Sequence, residues 1–164
     1  MTVYAYISTG NFNEKTARIY ADSGLFTSNE IIVNDLYTLF RVLQTEGTEP
    51  KFKRLFVARF NLLPELRRRI GYEINMAKAG KEARIILKMN ALQDPAMIDE
   101  LYKASEAGVK IDLIVRGICC LIPNQPYSRN IRITRIVDSF LEHARVWYFH
   151  HGGKPLLFMG SPDW

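Results

Sequence analysis

Val3 to Ser8 is a short run of apolar and aromatic positions, and Thr9-Gly10-Asn11 breaks it with turn chemistry, so a strand is predicted to enter a loop there. From Thr27 the period lengthens. Ile32, Leu36, Leu39, Phe40 and Leu43 recur at helical spacing, and Thr27 with Glu30 three positions later predicts a capping box at the start of that helix. Gln44 to Pro50 is polar and carries both Gly and Pro, which places a linker there and divides the chain into residues 1–50 and 51–164.

Beyond the linker, apolar runs and helical periods alternate. Leu55-Phe56-Val57-Ala58 is expected as a first short strand, and Pro64 to open a helix through Leu66, Ile70, Ile74 and Ala77 to Gly80. Ala83 to Leu87 has the continuous apolar character of a buried strand. Asp94-Pro95 supplies an N-cap followed by a first-turn proline, Ile98, Leu101 and Tyr102 form an inner face, and Gly108 is a stop. Val109 to Val115 supplies the next strand, and Val146-Trp147-Tyr148-Phe149 a later aromatic one before a turn at His150–Gly153. Strand, helix, strand, helix, strand predicts an α/β fold with a parallel sheet and right-handed crossovers. Ligand-binding loops are then expected at the carboxyl ends of the strands, here Lys88-Met89-Asn90 and Arg116-Gly117-Ile118.

Composition narrows the class. With 164 residues, 48% apolar and 24% charged, the chain suits one globular domain or two small pieces. A net charge of +5 argues only weakly for an anionic ligand and does not require nucleic acid. The charge is uneven: residues 1–50 hold three basic and six acidic side chains, residues 51–90 eleven basic and three acidic. That step suggests two units with different surroundings. Cys119 and Cys120 are adjacent, so neither a disulfide framework nor a zinc spacing exists, and both are expected as small apolar fillers in a reducing compartment. No apolar run reaches the roughly 18–20 residues of a membrane span, and the first residues lack the form of a signal peptide. These features exclude a secreted disulfide-rich mini-protein.

Several residues could carry chemistry. Ser8-Thr9-Gly10-Asn11 could turn backbone N–H groups, hydroxyls and the Asn amide toward an anion; a plain turn is the alternative. Lys15, Arg18 and Tyr20 could bind a phosphate chain, or form a solvated face beside a half-buried tyrosine. Arg116 ends a buried run, so it needs an anionic ligand, water or a neighbouring acid. His143 and Arg145, two apart on an extended segment, face one side; histidine serves as acid, base or phosphoryl acceptor, and arginine stabilises phosphate charge. A satisfied core histidine is the alternative. His150 and His151 read as turn residues and Arg67-Arg68-Arg69 as a solvated helix face.

Read as one string, Ser8-Thr9-Gly10-Asn11-Phe12-Asn13-Glu14-Lys15-Thr16-Ala17-Arg18-Ile19-Tyr20 closely resembles a segment of the bacterial polyphosphate kinases of the first family. Residues 83–90, residues 108–117, Phe140-Leu141-Glu142-His143-Ala144-Arg145 and Gly160-Ser161-Pro162-Asp163-Trp164 resemble later segments of that family in the same order. The resemblance implies a phospholipase D-like α/β fold, a mixed or parallel sheet with helices on its faces. Residues 1–50 would be the tail of a first C-terminal catalytic domain and 51–164 most of a second. It implies reversible transfer of the terminal phosphate of ATP to long-chain polyphosphate through a phosphohistidine.

Tyr20, Arg116 and His143 match the family's ATP- and phosphate-binding positions, with His143 also catalytic, and Asn11, Arg18 and Arg145 as supporting residues. ATP and Mg2+ are the implied cofactors; the metal ligands and the phosphorylated histidine are expected outside this chain, so no metal ligand is assigned within it. The implied partners are ATP or ADP and inorganic polyphosphate, without nucleic acid. The resemblance further implies a cytoplasmic homo-oligomer with peripheral membrane association of the full-length enzyme. Tyr6 and Ser8 stand where many members carry His and Gly, and Gly160 and Pro162 where Ser and Ala are usual. Two rival readings are a phospholipase D-type phosphodiesterase, against which Arg145 in place of lysine argues, and a non-catalytic polyanion-binding module using the basic stretch Lys51–Lys88.

Overall fold

Asn29, not Thr27, caps the first helix: its side chain accepts from the Ile31 and Ile32 amides, while Thr27 Oγ1 accepts from the Asn29 amide one step earlier. Both are good cap formers, and the residue nearer the apolar period wins the helix terminus. The computed structural model describes residues 2–45, 49–137 and 139–164; Glu46, Gly47 and Thr48 of the expected linker lie outside them. In chain order the elements are β1 (Ala5–Ser8), β2 (Tyr20–Ala21), β3 (Gly24–Thr27), α1 (Glu30–Gln44), α2 (Leu62–Lys78), β4 (Arg84–Met89), α3 (Pro95–Glu106), β5 (Lys110–Val115), β6 (Ile131–Thr134), β7 (Leu141–Glu142), β8 (Arg145–Phe149) and β9 (Leu156–Gly160). They fall into two compact units, residues 1–8 with 24–66 and residues 9–23 with 67–164.

In the smaller unit β1 and β3 pair antiparallel from Ala5↔Thr27 to Ser8↔Gly24. Gly24 lets the Tyr6 ring lie over the strand, since a Cβ there would stand 2.4 Å from the Tyr6 hydroxyl and displace that side chain. The expected strand at Leu55–Ala58 does not form. Its backbone groups are taken by side chains: Asp35 of α1, only 4% exposed, accepts from the amides of Lys53, Arg54 and Leu55, and Asn61 accepts from Val57 N while donating to Leu55 O. A buried carboxylate needs such donors, and satisfying it leaves this apolar run without ladder bonds to share.

The larger unit is built on a five-stranded sheet of order β6-β5-β4-β8-β9. The β4, β5 and β6 strands are parallel, as the strand-helix-strand pattern predicts, whereas β8 runs antiparallel to β4 and β9 antiparallel to β8. The sheet is therefore mixed. Alternation along the strands gives it two unlike faces. Ile85, Leu87, Met89, Ile111, Leu113, Val115, Trp147 and Phe149 are buried on one, with α3 contributing Met97, Ile98, Leu101 and Ala104 to the core. Ile86, Lys88, Asp112, Ile114, Val146 and Tyr148 on the other are half-buried. Asp94 caps α3 through the Met97 amide, Pro95 occupies its first turn, and Gly108 leaves it at φ +99°, each as the sequence predicts.

Within this unit α2 carries Glu73, fully buried, whose carboxylate accepts from the backbone amides of Arg84 at 3.2 Å and His151 at 2.6 Å. His150 and His151 do form the β8–β9 turn. Arg67 and Arg68 are exposed as expected, but Arg69 is half-buried with its guanidinium 6.0 Å from the Phe158 ring centroid. Cys119 is half-buried and Cys120 exposed, so only the first acts as a filler.

Candidate functional site

Parallel strands end on one edge of a sheet, and here that edge gathers charge. The β4 strand runs into Asn90 and the β5 strand into Arg116; β8, running the opposite way, begins at Arg145 on the same edge. Backbone bonds from Arg116 N to Met89 O, Gly117 N to Asn90 O, Leu92 N to Ile118 O and Cys120 N to Leu92 O lace the two parallel strand ends together. Gly117 is fitted to that lacing, since a Cβ would stand 2.9 Å from the Asn90 carbonyl oxygen.

Asp163 is the hub. Its carboxylate takes a forked pair of bonds from Arg145, Nε to Oδ1 at 3.1 Å and Nη2 to Oδ2 at 2.8 Å, and also accepts from the Asn90 amide (2.8 Å), the Ala91 amide (3.1 Å) and Asn90 Nδ2 (3.3 Å). Partial burial pushes its pKa up, but the donors from Arg145, Ala91 and Asn90 outweigh that and hold it below the ordinary carboxylate value. Asn90 then presents its side-chain oxygen to Arg116 Nη2. Of the partners expected for Arg116 the neighbouring acid is not the one it takes: its side-chain bond is to the neutral amide of Asn90, and its Nε is buried with no protein partner among the described residues. A guanidinium so placed retains unspent donors and an uncompensated charge.

His143 stands on the other side of Arg145. Arg145 Nη1 lies 3.1 and 3.2 Å from the two ring nitrogens and donates to the His143 carbonyl at 2.7 Å. The imidazole pKa is lowered, first by burial, then by the Arg145 charge, with Arg116 adding in the same sense; Asp22 and Asp163 oppose it. At neutral pH the ring is therefore held uncharged and able to accept a proton or a hydrogen bond. Tyr20 stacks on it, ring centroids 4.7 Å apart and planes inclined by 29°. That stack follows from the parallel pairing of β2 with β7, Tyr20↔Leu141 and Ala21↔Glu142, and from His143 N donating to Ala21 O.

The structure thus brings Tyr20, His143, Arg145 and Arg116 into one linked group. Asn11, Lys15 and Arg18 are exposed on the segment leading into β2, and among the described residues no hydrogen bond or ion pair ties their side chains to that group. The Ser8–Asn11 turn is differently used from its expected role as an anion cradle. Thr9, 1% exposed, donates its hydroxyl to the Ser23 carbonyl and accepts from the Ser23 amide, and the Asp22 carboxylate lies where a Cβ on Gly10 would be, Oδ2 at 2.2 Å. The glycine makes room for a carboxylate, which repels an incoming phosphate from that spot. Asp22 was not legible as a participant, and Asn90 was placed only within an expected ligand-binding strand end, not as the bridge between Asp163 and Arg116. Their signals were an Asn directly after a buried strand, and an Asp two residues beyond Tyr20, which puts both on one side of an extended segment. Among the described residues no three His, Cys, Asp or Glu side chains cluster as a metal site.

Fold and site together define a mixed α/β protein with a cationic, histidine-bearing site at its strand ends. Comparison with known proteins makes this specific. A family model described as Polyphosphate kinase C-terminal domain 2 matches residues 55–164, and one described as Polyphosphate kinase C-terminal domain 1 matches residues 1–49. The chain is 47% identical over 162 residues to a polyphosphate kinase of Paraburkholderia phytofirmans and 46% identical to one of Burkholderia cenocepacia, covering 98% of this chain and 24% of each relative. It also resembles the crystal structure of polyphosphate kinase from Porphyromonas gingivalis, with a TM-score of 0.93 and 56% identity over 98% of this chain and 27% of that one. The chain belongs to the polyphosphate kinase family, and spans about a quarter of the length of these relatives.

Proposed function

We propose that this chain is the phosphate-gripping part of an enzyme that reversibly transfers the terminal phosphate of ATP to long-chain inorganic polyphosphate. The single observation that carries the reading is Arg116: a strand-end guanidinium, anchored by a neutral amide, with a buried Nε unpartnered among the described residues and linked through Asn90 and Asp163 to Arg145 and His143. A phosphate is the ligand whose geometry and charge complete such a group. Tyr20 donates its hydroxyl to phosphate oxygens, and Arg116 clamps and neutralises them. His143 contacts the transferring group and moves a proton; Arg145 holds His143 in place, its own charge balanced by Asp163. Phosphoryl transfer asks the protein mostly for positioning and charge neutralisation.

In this reading residues 1–50 close a first catalytic domain of phospholipase D-like fold and 51–164 form most of a second, which the extents of the two family matches support. The histidine that carries the phosphoryl group, and the Mg2+ ligands, belong to the rest of the enzyme. No helix among the described residues is long and apolar enough to cross a membrane.

Calorimetric titration of the 164-residue chain with ATP tests the grip directly. Arg116→Ala is expected to weaken binding at least tenfold, while Arg59→Ala, an exposed arginine of the other unit, leaves it unchanged. Equal binding by wild type and Arg116→Ala would refute the assignment.

A further inference from the structure

The opposite edge of the same sheet carries a second concentration of positive charge. The strands β4, β5 and β6 are parallel, so Arg84, Lys110 and the approach to Ile131 begin together, six residues or about 20 Å from the Asn90–Arg116 edge in β4 and β5. There an open cleft of about 440 Å³ is lined by Arg84, Lys110, Arg129 and Arg132 against only Glu82 and Asp112. The arrangement is fixed by register. Arg84 faces Lys110 and Asp112 faces Arg132 on neighbouring strands, and alternation puts these four side chains on the half-buried face of the sheet.

One cation is already partly spent: Arg84 gives Asp112 a forked pair of bonds, 2.7 Å from Nη2 and 3.2 Å from Nε. Glu82 lies 4.0 Å from His150, an additional basic partner. Lys110, Arg129 and Arg132 have no such ion pair among the described residues. A single small anion would meet the two carboxylates as readily as the cations. An extended chain of phosphates can skip past both acids and touch three or four cations in succession, and each contact after the first is intramolecular.

From this, and resting on the proposed polyphosphate activity, we propose that the cleft at the amino ends of β4, β5 and β6 is a secondary binding site for inorganic oligophosphate. It grips the chain away from the transfer site. Exposed cations act through screened attraction, so this grip weakens with salt.

The test is binding of fluorescently end-labelled long-chain polyphosphate, followed by anisotropy at low and physiological salt. It compares wild type, Arg129→Ser/Arg132→Ser, Lys110→Ser and Arg116→Ala, each checked for an unchanged thermal midpoint. The double variant is expected to lose tenfold or more in affinity for the long chain and nothing for ATP or tripolyphosphate, with Lys110→Ser giving a smaller loss in the same direction. Arg116→Ala is expected to do the reverse. Unchanged long-chain affinity in both cleft variants overturns the cleft, whatever Arg116→Ala does. Tighter binding of a single-stranded oligonucleotide of equal charge, lost in the same variants, overturns the ligand class. Retention of ATP binding in Arg116→Ala with loss of long-chain binding in the cleft variants would instead sink the primary site and leave the cleft standing.

Discussion

The Tyr20 and His143 rings are stacked at 4.7 Å between centroids, and the two-residue ladder β2–β7 is what sets them there. The stack and the phenol hydroxyl do different things, and substitution separates them. Tyr20→Phe keeps the ring and is expected to leave stability unchanged while weakening ATP binding. Tyr20→Ala is expected to cost a further 0.5–1.5 kcal/mol or so of ring–ring stabilisation, read by urea denaturation.

The His143 imidazole is predicted to titrate below the ordinary histidine value of about 6.5. The unfolded chain then binds more protons than the folded one between the two values, so this group's contribution to stability is complete above the unfolded value and is lost as pH falls from there through the lower folded value. Asp22 supports the protonated ring, so Asp22→Asn is expected to lower the value further. Two-dimensional NMR titration of the three histidines measures both; an unshifted or raised His143 contradicts the arrangement.

Gly10→Ala puts a methyl group into the Asp22 carboxylate. Either the turn or the aspartate must move, at a cost of about 1–3 kcal/mol. If the aspartate swings away, the variant reproduces the Asp22→Asn titration of His143, and Gly10→Ala/Asp22→Ala recovers most of the lost stability. A thermodynamic cycle over these variants checks both outcomes.

Asp163→Ala leaves the Arg145 guanidinium, 7% exposed, without its carboxylate. Only the arginine of this pair is buried, the Asp163 side chain being 27% exposed, so the loss is expected to fall below the roughly 3–5 kcal/mol of a fully buried pair, and ATP affinity is expected to fall with it as His143 and Asn90 lose their shared anchor. The depressed pKa of Asp163 adds a pH signature. Its stabilisation is complete above the unfolded carboxylate value near 4 and disappears as pH falls through the lower folded value. Denaturation midpoints of wild type and Asp163→Asn should converge in acid.

Asp35→Ala strips the acceptor from three backbone amides, Lys53, Arg54 and Leu55. Each lost hydrogen bond is worth about 0.5–1.5 kcal/mol where water can take the acceptor's place, and hydrogen exchange at these three positions is expected to accelerate. Slow exchange retained at all three would show that something other than Asp35 protects them.

Much of this was legible beforehand, for reasons that differ by element. The β4–α3–β5 unit announced itself because Asp94-Pro95, the Ile98–Leu101–Tyr102 face and Gly108 agree with one another at every level. Leu55–Ala58 misled because apolar character reports burial and not pairing; Asp35, a buried carboxylate on a helix twenty residues earlier than Leu55, takes the Leu55 amide, and Asn61 takes the Val57 amide and the Leu55 carbonyl. The antiparallel return of β8 was invisible to a pattern that carries no direction. At the site, the residue types at Tyr20, Arg116, His143 and Arg145 were readable, whereas the bridge through Asn90 exists only because two distant strand ends meet.

That meeting has a kinetic side. Asp163 reaches the Asn90 amide across 73 residues of chain, so the carboxylate that holds Arg145 directly, and Arg116 through Asn90, is recruited by a long-range closure. Local helices and the β4–β5 crossover can assemble long before it. The corner that would hold a triphosphate is thus expected to be a late arrival in folding, and the first to come undone when the unit is stressed.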